Sequence, residues 1–298
     1  MEPPRSLISR LLRGLVITLL VVAVLLYIGL PVGMAIYALL PSRQSPGATP
    51  DGFDDVTLTA TDGVSLQAWY RPPENGAAII LLHGAGSSRQ SVLPFAAMLA
   101  RHGYGVLAVD LRGHGASGGK TNRLGWQGSR DVGAAVAFLQ SRSEVQSIGG
   151  LGISMGGEAL LGAAAEYPVI QAIAADGATR RSTKELLALP SERPLVRSFT
   201  ARVMFAAVQL ISREAPPRPI LDSMYAARTT RFLLVAAGRN ELETAFNRLF
   251  AVILGGRASL WVVPGVEHTG AFSRYPQESE QRLIEFFDAA LLAAKTRD

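Results

Sequence analysis

The chain has 298 residues, no cysteine and a formal net charge of +5, and 48% of its residues are hydrophobic. Without cysteine it can form neither a disulfide nor a thiolate metal site, and its length beyond an apolar N-terminal segment fits one large domain. The basic residues are scattered arginines rather than a Lys/Arg block with interleaved aromatics, so we expect no nucleic-acid partner.

A long uncharged segment opens the chain. Residues 14–40 contain no charged residue, and this run exceeds the ~20 apolar residues that cross a bilayer. Positive charges precede it at Arg5, Arg10 and Arg13. Because only Arg43 lies just after it, the positive-inside rule predicts that residues 1–40 are a cytoplasmic N-terminus and a single-pass signal anchor in the cell membrane, with the remaining chain outside the cytoplasm. A cleaved signal peptide is the alternative, since residues 33–35 offer a small-x-small cleavage site.

Residues 41–52 are rich in proline, glycine and small polar residues, which predicts a linker. In the domain that follows, residues 53–298, short apolar runs alternate with helical patterns. The predicted strands cover residues 56–60, 64–70, 77–82, 106–109, the run from 148, 170–175, 231–237 and 259–263. One predicted helix ends near residue 101, and another follows Ser154. Three further helices are predicted at about residues 126–140, 244–254 and 277–294. This alternation is typical of an α/β protein with a doubly wound, mostly parallel sheet.

Residues 177–228 interrupt the alternation of strands and helices. They contain an apolar helical stretch at 203–211 and a proline-rich return at 216–219. Two interpretations stay open for this insertion. It is either a helical lid that lines an apolar acyl pocket or a helical excursion packed on the core.

The strongest motif in the chain is Gly152-Ile153-Ser154-Met155-Gly156, between a short apolar run and a helix of small residues. Its spacing is that of a nucleophile elbow, a tight strand-to-helix turn with no room for side chains two positions before and after the serine. The turn exposes the serine hydroxyl, and the following helix aims its free N–H groups at the same point. The motif therefore predicts a serine nucleophile beside an anion-binding site.

Further motifs surround this elbow in a fixed order. They are His83-Gly84 after the third predicted strand, the segment from Asp110 to Ser117 after the fourth, an acidic cluster after the seventh and the late His268. Together they resemble the α/β-hydrolase superfamily, from about Phe53 to the C-terminus. Within it, the chain is most similar to membrane-anchored or secreted bacterial serine hydrolases of unassigned substrate.

The resemblance implies three catalytic residues in the order serine, acid, histidine. Ser154 is then the nucleophile, and His268, in a loop after the last strand, is the base that takes its proton. The oxyanion hole is implied to consist of the backbone N–H groups of Ala85 and Met155. This chemistry needs no metal and no cofactor, and we expect neither.

The acid is the ambiguous member of this set. Relatives place an aspartate three residues after the glycine that ends the seventh strand, and by this count the position holds Glu241. Glu243 is a close competitor, and Asp176, after the sixth strand, occupies a position that some relatives use instead. The count favours Glu241, and the other two carboxylates stay open as alternatives.

Two hypotheses follow for the function. The first is a serine hydrolase that cleaves a carboxylic ester of a small-molecule acyl substrate, or a thioester or peptide, through an acyl-enzyme on Ser154. The second is a catalytically inactive hydrolase-fold module that is tethered to the membrane for binding or scaffolding. The intact serine and histidine favour the first hypothesis, and the unusual acid favours the second.

Overall fold

The computed structural model describes residues 7–120, 124–192 and 194–292, so Arg5 of the predicted anchor lies outside the described residues. The strands of the described chain are β1 (Asp54–Thr59), β2 (Ser65–Arg71), β3 (Ala77–Leu82), β4 (Gly105–Val109), β5 (Ser147–Ile153), β6 (Ile170–Asp176), β7 (Arg231–Ala237) and β8 (Ala258–Val263). They form one sheet in the order β1-β2-β4-β3-β5-β6-β7-β8. β2 is antiparallel to both of its neighbours, and the other pairs are parallel. The predicted mostly parallel sheet is therefore confirmed.

The α-helices of the described chain alternate with these strands. They are α1 (Leu7–Val24), α2 (Leu30–Leu39), α3 (Leu93–Arg101), α4 (Gly128–Gln140), α5 (Met155–Ala163), α6 (Thr183–Leu186), α7 (Leu195–Ser212), α8 (Ile220–Ala226), α9 (Glu241–Leu254), α10 (Ala271–Arg274) and α11 (Pro276–Phe287). Two π-helical turns, Leu25–Gly29 and Asp288–Leu292, continue α1 and α11.

Helices bury the sheet on both faces. On one face, α4, α5, α8 and α9 pack through apolar side chains that include Leu160 and Phe246. On the other face, α3 and α11 pack through Phe95 and Phe287. Because β3 and β5–β8 run in parallel, the loops that follow them meet at one edge of the sheet, which is where open α/β sheets bind their ligands. We call this edge the carboxyl edge.

The N-terminal apolar segment is helical. α1, the π-helical turn and α2 follow one another without a break, and Ser9–Leu39 is the one helix in the described chain that is long and apolar enough to cross a membrane. Most of its side chains are exposed. The buried exceptions, Pro31, Ala35 and Ala38, belong to α2, which packs on α7.

The start of the segment that follows this helix is bonded to the domain. The N–H of Ser42 donates to the carbonyl of Gly113, and its carbonyl accepts from the N–H of Gly115, both at 3.0 Å. Its hydroxyl donates to the carbonyl of Gly86 at 2.8 Å. The first residues of the predicted linker 41–52 therefore fix the end of α2 beside the carboxyl edge.

The insertion 177–228 contains α6, α7 and α8. α8 packs on α5 and α9, whereas α7, its longest helix, packs on α2. α7 belongs to the segment that leaves the carboxyl edge after β6, and it lies next to the N-terminal helix. This arrangement positions the site described next.

Candidate active site

Ser154 occupies a strained turn between β5 and α5. Its backbone has φ 51° and ψ −117°, a conformation that non-glycine residues avoid. Two hydrogen bonds hold the turn: the N–H of Ser154 donates to the carbonyl of Asp176 at 2.7 Å, and its carbonyl accepts from the N–H of Glu158 at 3.0 Å. The predicted elbow is therefore present, with the side chain at the carboxyl edge.

Close backbone packing explains the two glycines of the elbow. A Cβ atom on Gly152 would lie 2.4 Å from the carbonyl carbon of Gly156, and a Cβ atom on Gly156 would lie 2.5 Å from the carbonyl oxygen of Leu82. Either distance is far inside van der Waals contact. The turn can therefore close against β3 only if both positions lack a side chain.

His268 lies in the loop between β8 and α10 and contacts Ser154 directly. Its Nε2 atom is 2.9 Å from the Ser154 hydroxyl oxygen. Its Nδ1 atom is 2.6 Å from an Oε2 carboxylate oxygen of Glu243. The structure thus joins a serine, an imidazole and a carboxylate in one hydrogen-bonded series, in the order that nucleophilic catalysis requires.

Glu243, and not Glu241, is the carboxylate bonded to His268. The preference for Glu241 is therefore wrong, because Glu241 is the first residue of α9 and its side chain is exposed. Glu243 lies one half-turn later, is fully buried, and also accepts a hydrogen bond from the N–H of Ala237 at 2.6 Å. Its second carboxylate oxygen is therefore held in place for His268.

A helix-start signal in the sequence could have identified Glu243. The segment Asn240-Glu-Leu-Glu243 has the spacing of a capping box, which starts a helix three residues earlier than the predicted 244–254. The Asn240 side chain indeed accepts from the N–H of Glu243 at 3.1 Å. This cap starts α9 at Glu241 and turns the side chain of Glu243 inward. The count of three residues from the end of β7, which pointed to Glu241, does not include this helical turn.

Asp176, the other alternative, ends β6 beneath the site. Its backbone carbonyl holds Ser154, but the Nδ1 atom of His268 is bonded to Glu243 instead. Burial raises the pKa of Asp176 to about 7, and the negative charge of Glu243 contributes to the increase. Asp176 therefore belongs to the electrostatic surroundings of the site.

The carboxylates around His268 favour its charged form. The hydrogen bond to Glu243 is the main cause of a pKa of His268 above its ordinary value, and the charges of Asp176 and Glu158 act in the same direction. Partial burial of the ring opposes this increase. An imidazolium formed by proton transfer from Ser154 would therefore be stabilised where it arises.

Ala85 and Met155, whose backbone amides are expected to form the oxyanion hole, line one cavity together with Ser154. This cavity has a volume of about 230 Å³. Met155 is the first residue of α5, so its N–H has no acceptor within the helix. The loop that carries Ala85 is fixed by the buried His83, whose Nε2 accepts from the N–H of Leu111 at 3.1 Å.

The rest of the cavity wall includes residues that the sequence did not single out. Glu158 is buried, and one of its carboxylate oxygens accepts from the backbone N–H and hydroxyl of Thr179, both at 3.0 Å, and from the N–H of Arg180 at 3.1 Å. Its signal in the sequence is an acidic residue among the small residues of the helix after the elbow. Glu158 therefore holds the chain after β6 over the cavity.

A known family matches the sequence over this region. The profile described as Hydrolase_4, serine aminopeptidase S33, matches residues 73–230, more than half of the chain. The uncharacterised protein YfhR of Salmonella typhi is 30% identical over 131 residues, which are 41% of this chain and 44% of that protein. The uncharacterised protein Rv2307c of Mycobacterium tuberculosis is 29% identical over 133 residues, 43% of this chain and 46% of that protein. The chain thus spans less than half the length of these curated relatives.

Solved structures resemble the chain over most of its length. The esterase Pf2001 of Pyrococcus furiosus superposes with a TM-score of 0.67 at 24% identity, covering 85% of this chain and 98% of that one. The proline iminopeptidase of Mycobacterium smegmatis superposes with a TM-score of 0.59 at 18% identity, covering 81% and 100%. At these identities the likeness establishes the fold, and the expected α/β-hydrolase fold is confirmed.

A methyl group added inside the elbow should destabilise the protein strongly. We expect Gly156→Ala to lower the free energy of unfolding by about 3 kcal/mol, because the added atom would overlap the β3 backbone. The matched control is Gly256→Ala, since a Cβ atom there would meet nothing within 4 Å. Chemical denaturation of both full-length variants in detergent, followed by circular dichroism, measures the difference. Equal stabilities would contradict the packing described for the elbow.

Proposed function

Because the chain belongs to the serine aminopeptidase family S33 of α/β hydrolases, we propose that it cleaves a carboxylic ester through an acyl-enzyme on Ser154. The observation that carries this proposal is the series Ser154, His268 and Glu243, joined by contacts of 2.9 Å and 2.6 Å. The substrate is a small molecule with an acyl group that enters the cavity beside Ser154.

The first half of the reaction acylates the serine. The Ser154 hydroxyl gives its proton to the Nε2 atom of His268 while its oxygen attacks the ester carbonyl. The amides of Met155 and Ala85 receive the resulting oxyanion, and each such donor contributes roughly 10²- to 10³-fold in rate. His268 then donates the proton to the leaving alcohol as the ester C–O bond breaks.

The second half of the reaction releases the acid. A water molecule attacks the acyl-enzyme while His268 takes its proton, and the same amides stabilise the second oxyanion. His268 returns that proton to Ser154 as the carboxylic acid leaves. Throughout, Glu243 accepts from Nδ1–H, so that Nε2 faces Ser154 and the imidazolium is stabilised.

The lining of the cavity favours an ester over the amino-terminal peptide that the family name suggests. An aminopeptidase must bind a positively charged ammonium group. In this cavity Arg180 carries the same positive charge, and Glu158 already accepts three hydrogen bonds from its neighbours. The apolar side chains that α7 contributes instead suit an acyl chain.

The case for an inactive binding module rested on the unusual acid. Glutamate is one methylene longer than the usual aspartate, and Glu243 starts within the first turn of α9 rather than in the loop before it. The longer side chain reaches His268 from this deeper position. This contact supports the first hypothesis over the inactive module.

We propose in addition that Ser9–Leu39 anchors the protein in the cell membrane, with the hydrolase domain outside the cytoplasm. The length and composition of this helix support a membrane span. The arginines at positions 5, 10 and 13, which precede its uncharged run, support this orientation. Protease added to intact spheroplasts should therefore digest the domain. Protection of the domain, or release of a shortened soluble form, would contradict the anchor.

Removal of either reacting side chain should abolish hydrolysis. We expect Ser154→Ala and His268→Ala each to lower kcat for a short-chain p-nitrophenyl ester by at least about 10⁴-fold, and the double variant to lose little more. Ser273→Ala, on an exposed position of α10, is the control and should keep full activity. Near-normal hydrolysis by Ser154→Ala would exclude this serine as the nucleophile.

The two glutamates of α9 should differ in their effect on catalysis. We expect Glu243→Gln to lower kcat by up to about 10⁴-fold with little change in KM, because the carboxylate orients the base and does not contact substrate. It should also move the acidic limb of the kcat/KM profile to lower pH, because the main cause of the raised pKa of His268 is removed. Glu241→Gln is the matched control and should change neither kcat nor the pH profile of kcat/KM. Equal losses in both variants would contradict the assignment of Glu243.

A further inference from the structure

α7 is packed against the helix that we propose to cross the membrane. A separate apolar cluster joins the two elements, with Ala35 and Leu39 from α2, Met204, Phe205, Ala207 and Val208 from α7, and Leu124 and Trp126 between them. Ala35 and Val208 are both completely buried in this cluster. α7 is therefore attached to the N-terminal helix through a continuous apolar seam.

The two helices run in the same direction along this seam. Leu39 and Pro41 line one surface cavity together with Ile211 and Ser212, so the C-terminal ends of α2 and α7 lie side by side. α7 also contacts the π-helical turn Leu25–Gly29, which precedes α2. The N-terminal end of α7 therefore points back along the apolar segment.

The first turns of α7 expose large apolar side chains at this end. Leu195 is 82% exposed, Val196 55% and Phe199 44%. If the neighbouring helix crosses a bilayer, these side chains lie among the acyl chains of the leaflet nearer the domain. The sequence places Arg197 in the same turn and Arg202 seven residues after Leu195. The embedding requires both long side chains to extend their charged ends to the interface.

The side of α7 that packs on α2 also forms a wall of the Ser154 cavity. Ala201, Met204 and Phe205 line this cavity, and Met204 and Phe205 also belong to the seam with α2. One layer of side chains therefore separates the candidate nucleophile from the membrane helix. An acyl chain drawn from the bilayer along α7 would first meet the cavity at Ala201, Met204 and Phe205.

We propose that the first turns of α7 are embedded in the bilayer and that the substrate is an acyl ester resident in that bilayer. This inference rests on the proposed function and names the substrate class of the same site. The ester C–O bond breaks as the acyl group passes to Ser154, the alcohol leaves with the proton from His268, and water then releases the fatty acid. In this proposal, lipid acyl chains cover the exposed side chains of Leu195, Val196 and Phe199.

The depth of α7 can be measured without any assay of activity. The chain has no native cysteine, so Leu195→Cys can carry a single environment-sensitive fluorophore in the full-length protein, reconstituted in phosphatidylcholine and phosphatidylglycerol vesicles. Val252→Cys on α9 is the matched control, because Val252 is an equally exposed apolar residue, at 80%. Nitroxides attached to the lipid acyl chains should quench the label at position 195 at least about twofold more than the label at position 252.

Two results of this measurement would overturn the embedding of α7. In the first, both labels are exposed to water and quenched equally. In the second, the label at position 195 is shielded from water but escapes the acyl-chain nitroxides, which means that another protein surface covers α7.

The substrate class is tested by comparing two esters. We expect Leu195→Glu to lower hydrolysis of a long-chain ester embedded in the same vesicles by at least about tenfold, because a charge is costly in hydrocarbon. Hydrolysis of a soluble short-chain ester should stay unchanged, which also shows that the variant folds. Val252→Glu should leave both rates unchanged. Equal rates on the embedded ester for the wild type and Leu195→Glu would overturn the proposed route.

The failure of this inference differs from a failure of the proposed function. Suppose that the wild type hydrolyses the soluble ester through Ser154, and that Leu195→Glu hydrolyses the embedded ester as fast as the wild type does. The proposed substrate class is then wrong, and the proposed serine hydrolase stands. If the wild type hydrolyses neither ester, the proposed function itself fails. In that case the quenching measurement still decides whether α7 lies in the bilayer.

Discussion

The close packing of the backbone around Ser154 is the constraint on which the site depends. A serine at φ 51° is unfavourable on its own, and it persists because β3, β5 and α5 enclose the turn and hydrogen bonds from both sides hold it. The same turn places the first amide of α5 beside the hydroxyl. In the proposed mechanism, the exposure of the nucleophile and the amide donor for the oxyanion therefore both arise from one backbone conformation.

The second requirement is that three distant parts of the chain meet at the carboxyl edge. Ser154, Glu243 and His268 follow β5, β7 and β8, and parallel strands bring the loops after them to one side. Glu243 is fully buried, and its partner His268 is partly exposed. The carboxylate end of the hydrogen-bonded series therefore lies in the core, and the imidazole lies at the cavity. In the proposed mechanism, this ordering fixes the base in position without shielding it from substrate.

The sequence predicted the sheet better than it predicted the site. The bounds of β3 and β7 follow from their continuous apolar runs, and the elbow follows from glycine spacing, because both are local patterns. The acid was assigned by a count that ignored the start of α9, where the Asn240 cap turns Glu243 inward. The seam between α2 and α7 joins residues about 170 positions apart and has no local signature, so an apolar helix in the insertion could not be paired with the N-terminal helix beforehand.

The central claim, that Ser154 is an activated nucleophile, is tested most directly by mapping a covalent adduct. The full-length protein in detergent is incubated with a fluorophosphonate, digested and analysed by tandem mass spectrometry. The account predicts a single phosphonyl group on Ser154, whose rate of attachment falls sharply when His268 is replaced by alanine. An adduct on another serine, or no adduct at all in folded protein, would contradict it.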